Sequence, residues 1–372
     1  MNRLARPPWQ SVEAKDWNDW AWQFRNRIDD AESAARAFDL SPEEVQALVE
    51  TRPTFRFGVT PYYASLAHPG DPNCPIRKQV LPRPEESWVR LPARRDPLGE
   101  EALEVVPNLV HRYPDRVLLL ATDRCPVYCR FCTRRRIVGR TERQAPRRLL
   151  EEAFGYVEAH EQIREVIVSG GDALMLSDRQ LDHIFGRLRS IAHLEIIRLA
   201  TRMPVTCPMR ITPRLIDCIR THGPIYVMTH FNHPMECTLH AERAVARMVD
   251  AGLVVYNQSV LLAGINDRAE TIRELNRRLV RMRVTPYYLH QCDLAEGIEH
   301  FRTPLQAGLD IIDALRGHSS GLMVPQLCVD VPGGLGKVTV VPDWIVERNA
   351  ERVVFRTYTG ETAAYAEPSI DT

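Results

Sequence analysis

From about residue 116 the chain alternates short apolar runs rich in β-branched residues with amphipathic stretches whose apolar positions recur every three to four residues. The runs are Val117-Leu-Leu-Leu-Ala-Thr, Glu165-Val-Ile-Val-Ser, Glu195-Ile-Ile-Arg-Leu-Ala-Thr, Ile225-Tyr-Val-Met-Thr-His, Leu253-Val-Val-Tyr-Asn-Gln-Ser and Val284-Thr-Pro-Tyr-Tyr-Leu-His. Helix-period stretches near 147–160, 178–192, 213–221, 236–251, 268–282 and 304–316 separate or follow them. Six β-then-α units predict an α/β protein with a parallel sheet built by right-handed crossovers. A closed barrel would need eight such units. Six predict an open, partial (β/α)6 TIM-like barrel, and a doubly wound sheet fits the same periodicity.

The flanks have a different texture. Residues 11 to 50 read as helices, with Trp17, Trp20, Trp22, Phe24 and Ile28 on an apolar stripe and Ser41-Pro-Glu-Glu opening a helix with a capping box. Residues 51 to 108, rich in Pro and Arg, read as an extended connection containing loops. The tail from 324 to 367 reads as β-rich, around Val324-Pro-Gln-Leu-Cys-Val-Asp, Lys337-Val-Thr-Val-Val and Val353-Val-Phe-Arg-Thr-Tyr. The expected organisation is a helical and connecting region over 1–108, the (β/α)6 core over 109–320 and a C-terminal β-rich segment over 321–372.

Charge narrows the function classes. Forty-eight basic and 48 acidic residues cancel, so no global field points to nucleic acid or an anionic membrane. No apolar run approaches the ~18 residues of a membrane helix, and the opening Met-Asn-Arg-Leu-Ala-Arg-Pro-Pro lacks the apolar core of a signal peptide. With nine cysteines, an odd number, a cytoplasmic chain with reduced thiols is expected. Lysine occurs only at Lys15, Lys78 and Lys337, so any chemistry that needs a primary amine has three candidates.

Special residues gather just after the runs, where parallel sheets bind ligands. Cys125-Pro-Val-Tyr-Cys129-Arg-Phe-Cys132 follows the first. Three thiolates in one tight loop can hold three irons of a 4Fe–4S cluster and leave the fourth iron open; a zinc site lacking a ligand and unrelated cysteines are the alternatives. Ser169-Gly170-Gly171-Asp172 follows the second run, either as a tight turn or as backbone that a ligand can approach closely. Pro332-Gly-Gly-Leu-Gly-Lys337 fails as a phosphate-binding P-loop at both ends, because positions 331 and 338 are Val. Its lysine is either a Schiff-base amine for pyridoxal 5′-phosphate (PLP) or a surface lysine in a turn. Arg112 and Arg116, before the first run, are candidates for a phosphate group.

Taken together, Cys-x3-Cys-Arg-Phe-Cys-Thr-Arg-Arg-Arg, Val-Ser-Gly-Gly-Asp-Ala-Leu, Thr-His-Phe-Asn-His-Pro, Asn-Gln-Ser-Val-Leu-Leu, Tyr-Tyr-x2-Gln-Cys-Asp-Leu and Asp-x-Pro-Gly-Gly-x-Gly-Lys resemble the lysine 2,3-aminomutase family of the radical S-adenosylmethionine (SAM) superfamily, from roughly Trp17 to Pro368. That resemblance implies a radical SAM barrel, a 4Fe–4S cluster on Cys125, Cys129 and Cys132, PLP on Lys337 with Arg112 and Arg116 at its phosphate, and SAM near Ser169, Gly170, Gly171, Asp172, His230 and Gln258. It implies Arg134 at the substrate carboxylate and Asp293 and Asp330 at the ε-ammonium of lysine. Two acids around one cation suit its burial, and they disfavour a glutamate substrate by like-charge repulsion.

The implied reaction is interconversion of lysine and β-lysine by 2,3-amino migration. Arginine as substrate, or β-lysine supply for modification of elongation factor P, are alternatives. An electron donor of flavodoxin or ferredoxin type is implied as partner. A cysteine-rich, zinc-binding tail known in some of the family is not matched, since the chain closes on Pro368-Ser-Ile-Asp-Thr and the barrel position is Arg268; no structural zinc is expected, and a homo-oligomer would be held otherwise. His290 stands where the family often has Tyr.

Overall fold

In a computed structural model that describes residues 8–368, the apolar runs form one ten-stranded sheet. Most of the opening stretch that bears on a leader, and the last residues of the tail that bear on zinc ligands, lie outside the described residues. The strands are β1 (Glu104–Val106), β2 (Leu109–Tyr113), β3 (Arg116–Thr122), β4 (Glu165–Gly170), β5 (Ile196–Ala200), β6 (Ile225–Thr229), β7 (Val254–Leu261), β8 (Thr285–Gln291), β9 (Gln326–Val331) and β10 (Gly336–Thr339), and they lie side by side in chain order. Neighbours from β3 to β9 are parallel. The flanking pairs β1–β2, β2–β3 and β9–β10 are antiparallel. Sequential order without a reversal rules out a doubly wound sheet, which needs a switch point. What remains is an open partial barrel.

Three strands depart from the expectation. The six parallel strands are joined by a seventh, β9, reached through the helix Leu305–Leu315. Expected only within the β-rich tail, it continues the same βα period past residue 320. Before the first parallel strand, β1, inside the expected connection, and β2, at the start of the expected core, fold back on β3 as an antiparallel ribbon; at three and five residues they are too short to show an alternating pattern.

Helices cover the outside of the sheet. Asp178–Arg189, Pro213–Arg220 and Leu239–Asp250 start at Ser177, Thr212 and Thr238, whose hydroxyls accept from the backbone N–H groups of Gln180, Leu215 and Ala241. Each such cap stabilises its helix by about 1 kcal/mol. Their apolar faces, including Leu181, Phe185, Leu215 and Val245, join Val117, Val166, Ile197 and Val227 of the strands in the main core. Full burial of each such side chain contributes about 1.5–3 kcal/mol. The opposite strand positions face the barrel interior, where Tyr226, Tyr256 and Tyr287 stand in ring contact.

The N-terminal helices form as expected, and the capping box is complete: Glu44 N donates to Ser41 Oγ at 3.3 Å and Ser41 N to Glu44 Oε2 at 2.9 Å. Residues 51–108 are more ordered than a connection. Helices Pro61–Ala64 and Pro75–Val80 bury Tyr62, Tyr63 and Gln79. Helices of four and six residues, each opened by Pro, carry no readable periodicity. A separate antiparallel sheet, β11 (Ile345–Arg348), β12 (Arg352–Arg356) and β13 (Thr362–Ala366), ends the described chain. Among the described residues no helix is long and apolar enough to cross a membrane.

Candidate active site

The loop after β3 carries the three cysteines, and the N-terminal region clamps it. Tyr128 N donates to Gly58 O and Arg130 N to Gln79 O, both at 2.9 Å, while Arg27 Nη1 donates to Cys125 O at 2.9 Å. Arg130, fully buried, binds Glu86 through Nε (2.8 Å) and Nη2 (2.6 Å). Cys125, Cys129 and Cys132 are free thiols. Burial, then the charges of Asp172 and the other two cysteines, drives the Cys125 thiol well above its usual range, and burial with Cys129 pushes Cys132 up to about 11. The three cysteines stand half-buried in one loop, close enough for charge on the other two to act on Cys125. A metal centre of high positive charge reverses that preference and takes them as thiolates, so the donor set fits an iron–sulfur cluster. Among the described residues no three His, Cys, Asp or Glu side chains form a site for a single metal ion; a cubic cluster spreads its ligands over separate irons.

Arg202 closes this end. Its Nη1 donates to Cys129 Sγ at 2.8 Å, Nε to His230 O at 3.0 Å, and Nη2 reaches Gln79 Oε1 (2.6 Å), Glu236 Oε1 (2.8 Å) and Tyr63 OH (3.3 Å). Asp172 ties β4 to the segment after β5, accepting from Thr201 Oγ1 (2.7 Å), Arg202 N (2.7 Å) and Leu174 N (3.0 Å). Burial raises its carboxyl. Gly170 and Gly171 serve this junction: a Cβ on Gly170, at φ 128°, would lie 2.1 Å from Thr122 O, and one on Gly171 2.3 Å from Arg124 O. Their missing side chains make room for the base of the cysteine loop.

Ser169 and Arg134 meet above the sheet, with Arg134 Nη1 3.4 Å from Ser169 Oγ. The other edge of the guanidinium is held by Glu100, through Nε at 2.8 Å and Nη2 at 2.7 Å. Although burial opposes it, Arg134 and Arg136 keep the Glu100 carboxyl at about 2. His230 follows β6, its Nε2 3.0 Å from Asn232 Oδ1, and burial with Arg202 nearby drives it well below the usual imidazole range. Gln258 lies in β7 at an irregularity in its pairing with β8.

Lys337 sits in the β9–β10 hairpin directly opposite Asp330. Gly333, Gly334 and Gly336, at φ 85°, 80° and 95°, make the turn. Lys337 Nζ donates to Asp330 Oδ2, and Arg112 Nη1 donates to Asp330 Oδ1 at 3.1 Å. Against burial, Lys337 chiefly holds the Asp330 carboxyl below its usual value. Arg112 reaches this acid from β2, whereas Arg116 stacks 4.2 Å over the Tyr113 ring, whose hydroxyl accepts from Lys337 N at 2.9 Å.

Asp293 is different. It makes no hydrogen bond or ion pair among the described residues, and burial, then Asp330, pushes its carboxyl up to about 7. His290 Nδ1 lies 3.3 Å from Cys328 Sγ and 3.8 Å from Asp330 Oδ2. Burial, then Lys337, lowers it to about 3, so the ring is neutral. At this end, then, stand an amine, one acid paired with it and one acid that makes no ion pair among the described residues.

Comparison with known proteins decides the lineage. The family model for lysine-2,3-aminomutase matches residues 312–371 and that for the radical SAM superfamily residues 119–275. The chain is 45% identical to L-lysine 2,3-aminomutase of Clostridium subterminale, covering 96% of this chain and 86% of that one. To the enzyme of the same name from Fusobacterium nucleatum it is 47% identical, over 96% and 84%.

The chain belongs to the lysine 2,3-aminomutase family.

Glutamate 2,3-aminomutase of Clostridioides difficile is more distant, 37% identical over 96% and 85% of the two chains. Among solved structures, Streptococcus suis SuiB bound to S-adenosylmethionine is similar with a TM-score of 0.44 and 10% identity, covering 59% of this chain and 51% of that one. Membership of the radical SAM superfamily implies a 4Fe–4S cluster and SAM for this aminomutase-family chain.

Reading the sequence missed Arg202, Glu236, Tyr63, Gln79 and Glu100. Arg202 and Glu236 do stand directly after strands or in the His230-Phe-Asn-His-Pro-Met-Glu loop, so their position was a signal. Tyr63, Gln79 and Glu100 come from the region taken for connection, where nothing marked them.

Proposed function

We propose that this chain interconverts L-lysine and β-lysine (3,6-diaminohexanoate) by 2,3-amino migration, using SAM, a 4Fe–4S cluster and PLP. The observation that carries the reading is Asp293, a buried acid that makes no ion pair or hydrogen bond among the described residues, close to the ionised Asp330 and the amine of Lys337. A substrate ε-ammonium supplies the missing partner, and its burial between two carboxylates is offset by them. A glutamate side chain would add a third carboxylate there.

When bound, the cluster with SAM supplies a carbon radical and PLP a π-system that holds an unpaired electron. The chain's own groups do the rest. Cys125, Cys129 and Cys132 would hold the iron, and Arg202, donating to Cys129 Sγ, would fix the orientation of that ligand. Lys337 Nζ is the amine for PLP, with Arg112 and Arg116 on either side of Tyr113 for its phosphate. Ser169, Gly170, Gly171, Asp172, His230 and Gln258 frame the SAM position. Glu100 fixes one edge of Arg134 and leaves Nη1 for a substrate carboxylate. Holding a radical in one orientation away from water is the main catalytic task of such a pocket. We further infer a cytoplasmic homo-oligomer served by a flavodoxin- or ferredoxin-type donor, with no structural zinc.

The test is anaerobic: reconstituted protein with SAM, reductant and PLP, given lysine, arginine or glutamate in turn. β-Lysine from lysine, at a rate above any product from the others, is expected. No β-amino product from lysine would sink the reading.

A further inference from the structure

A cavity of about 810 Å³ opens beside the cysteine loop. Arg52, Arg56, Arg95, Arg135, Arg136 and Arg140 line it, against Glu86 and Glu296. Glu86 is already engaged by Arg130 and Arg135, and Arg136 by Asp96, Glu100 and Glu101. Arg52, Arg95 and Arg140 are exposed and make no ion pair among the described residues. In a chain of zero net charge, this is a local excess of uncompensated positive charge.

The same place is apolar and bare. Trp88 lines the cavity with Arg90 stacked 3.6 Å over its ring, while Val89 is 91% and Leu91 45% exposed. Arginine, tryptophan and uncovered apolar side chains together are the composition of a protein contact surface. The cavity is also close to the sulfurs. Phe55 and Val138 line it, and Cys125 and Cys132 pack against the small cluster that those two residues form with Tyr128. One layer of side chains separates the cysteines from the cavity.

We propose that this cavity and its arginine rim dock the protein that reduces the cluster, a small acidic carrier with a low-potential one-electron centre near its surface. The inference rests on the cluster reading of Cys125, Cys129 and Cys132. One electron leaves the carrier's centre and enters the iron–sulfur centre through the Phe55 and Val138 layer; no bond forms or breaks. The unpaired arginines steer the acidic partner, and the Trp88–Leu91 strip supplies the apolar contact that holds it.

The test charges the rim negatively. Arg52→Glu/Arg95→Glu/Arg140→Glu is titrated calorimetrically with oxidised flavodoxin, beside a control, Arg243→Glu/Arg281→Glu, on the outer helices. The rim variant weakens binding by about tenfold or more and flattens its salt dependence, while the control binds like the unaltered protein. Cluster reduction by photoreduced flavodoxin slows in parallel, but reduction by photoexcited deazaflavin, a small neutral donor, does not. Unchanged flavodoxin affinity in the rim variant overturns the proposal. A changed assembly state by light scattering also overturns it, by making the rim a contact between copies. An unaltered protein that takes up no iron–sulfur cluster overturns the proposed function instead, and the binding titration, which needs no turnover, separates the two failures.

Discussion

Two clusters of buried charge stand at the carboxyl end of the sheet, and they are finished to different degrees. Around Arg202 every donor has an acceptor: three guanidinium nitrogens reach five groups, and the two oxygens of Glu236 accept from Arg202, Tyr63, Gln79 and the backbone N–H groups of Asn232 and His233. Around Lys337 the pairing is incomplete. Asp330 is paired with two cations, Asp293 makes no ion pair or hydrogen bond among the described residues, and His290 is neutral. A saturated network fixes a geometry, because any change leaves a buried group unpaired. An unsaturated one tolerates a visitor and is completed by it.

Breaking the saturated end has the largest expected effect. Arg202→Ala leaves Glu236 as an uncompensated buried charge and costs about 3–5 kcal/mol, read as a lowered midpoint in urea unfolding. A loss near 1 kcal/mol would mean that the two ends do not differ in kind. Asp330→Asn at the other end costs less stability, since Asn keeps an oxygen toward Arg112 and Lys337 remains partly solvated. It instead removes a charged partner from the substrate cation, about 2–3 kcal/mol or roughly 30- to 150-fold in kcat/KM for lysine. Steady-state kinetics on lysine and on a neutral analogue such as norleucine would show the loss for lysine alone.

The same contrast marks what the sequence could disclose. The barrel was legible because six of its seven parallel strands are continuous apolar runs followed by an amphipathic helix, and a pattern repeated six times survives errors at its ends. Lys337 was legible through scarcity, and the cysteines through spacing. The Arg202 network was not, because its members come from residues 63, 79, 202 and 236. Nothing local announces that a tyrosine in a four-residue helix will hydrogen-bond a glutamate 173 positions later. Asp293 could be named as a candidate, but its lack of a partner is a property of the folded site alone.

A smaller effect tests that lack of a partner through pH. With its carboxyl raised to about 7, Asp293 is protonated below pH 7 and an anion above it, while the lysine ε-ammonium stays charged to about pH 10. Lysine binding therefore strengthens as pH rises: KM falls by up to about tenfold per unit below 7 and levels off above 8. In Asp293→Asn the slope across 6 to 8 disappears; a slope that survives the substitution assigns the titration to another group.

The smallest effect probes how complete the Arg202 end is. Tyr63→Phe keeps the ring in place and removes only the hydroxyl, which donates to Glu236 Oε1 at 2.5 Å and accepts from Arg202 Nη2 at 3.3 Å. Four other donors remain on Glu236, and Arg202 keeps its carboxylate, amide, carbonyl and sulfur acceptors. The loss is one hydrogen bond in a network that still closes, about 1 kcal/mol in unfolding free energy, with KM for lysine unchanged because no group at the Lys337 end has moved. A shift in KM would show that the two ends communicate, and that the finished cluster of charge sets the unfinished one.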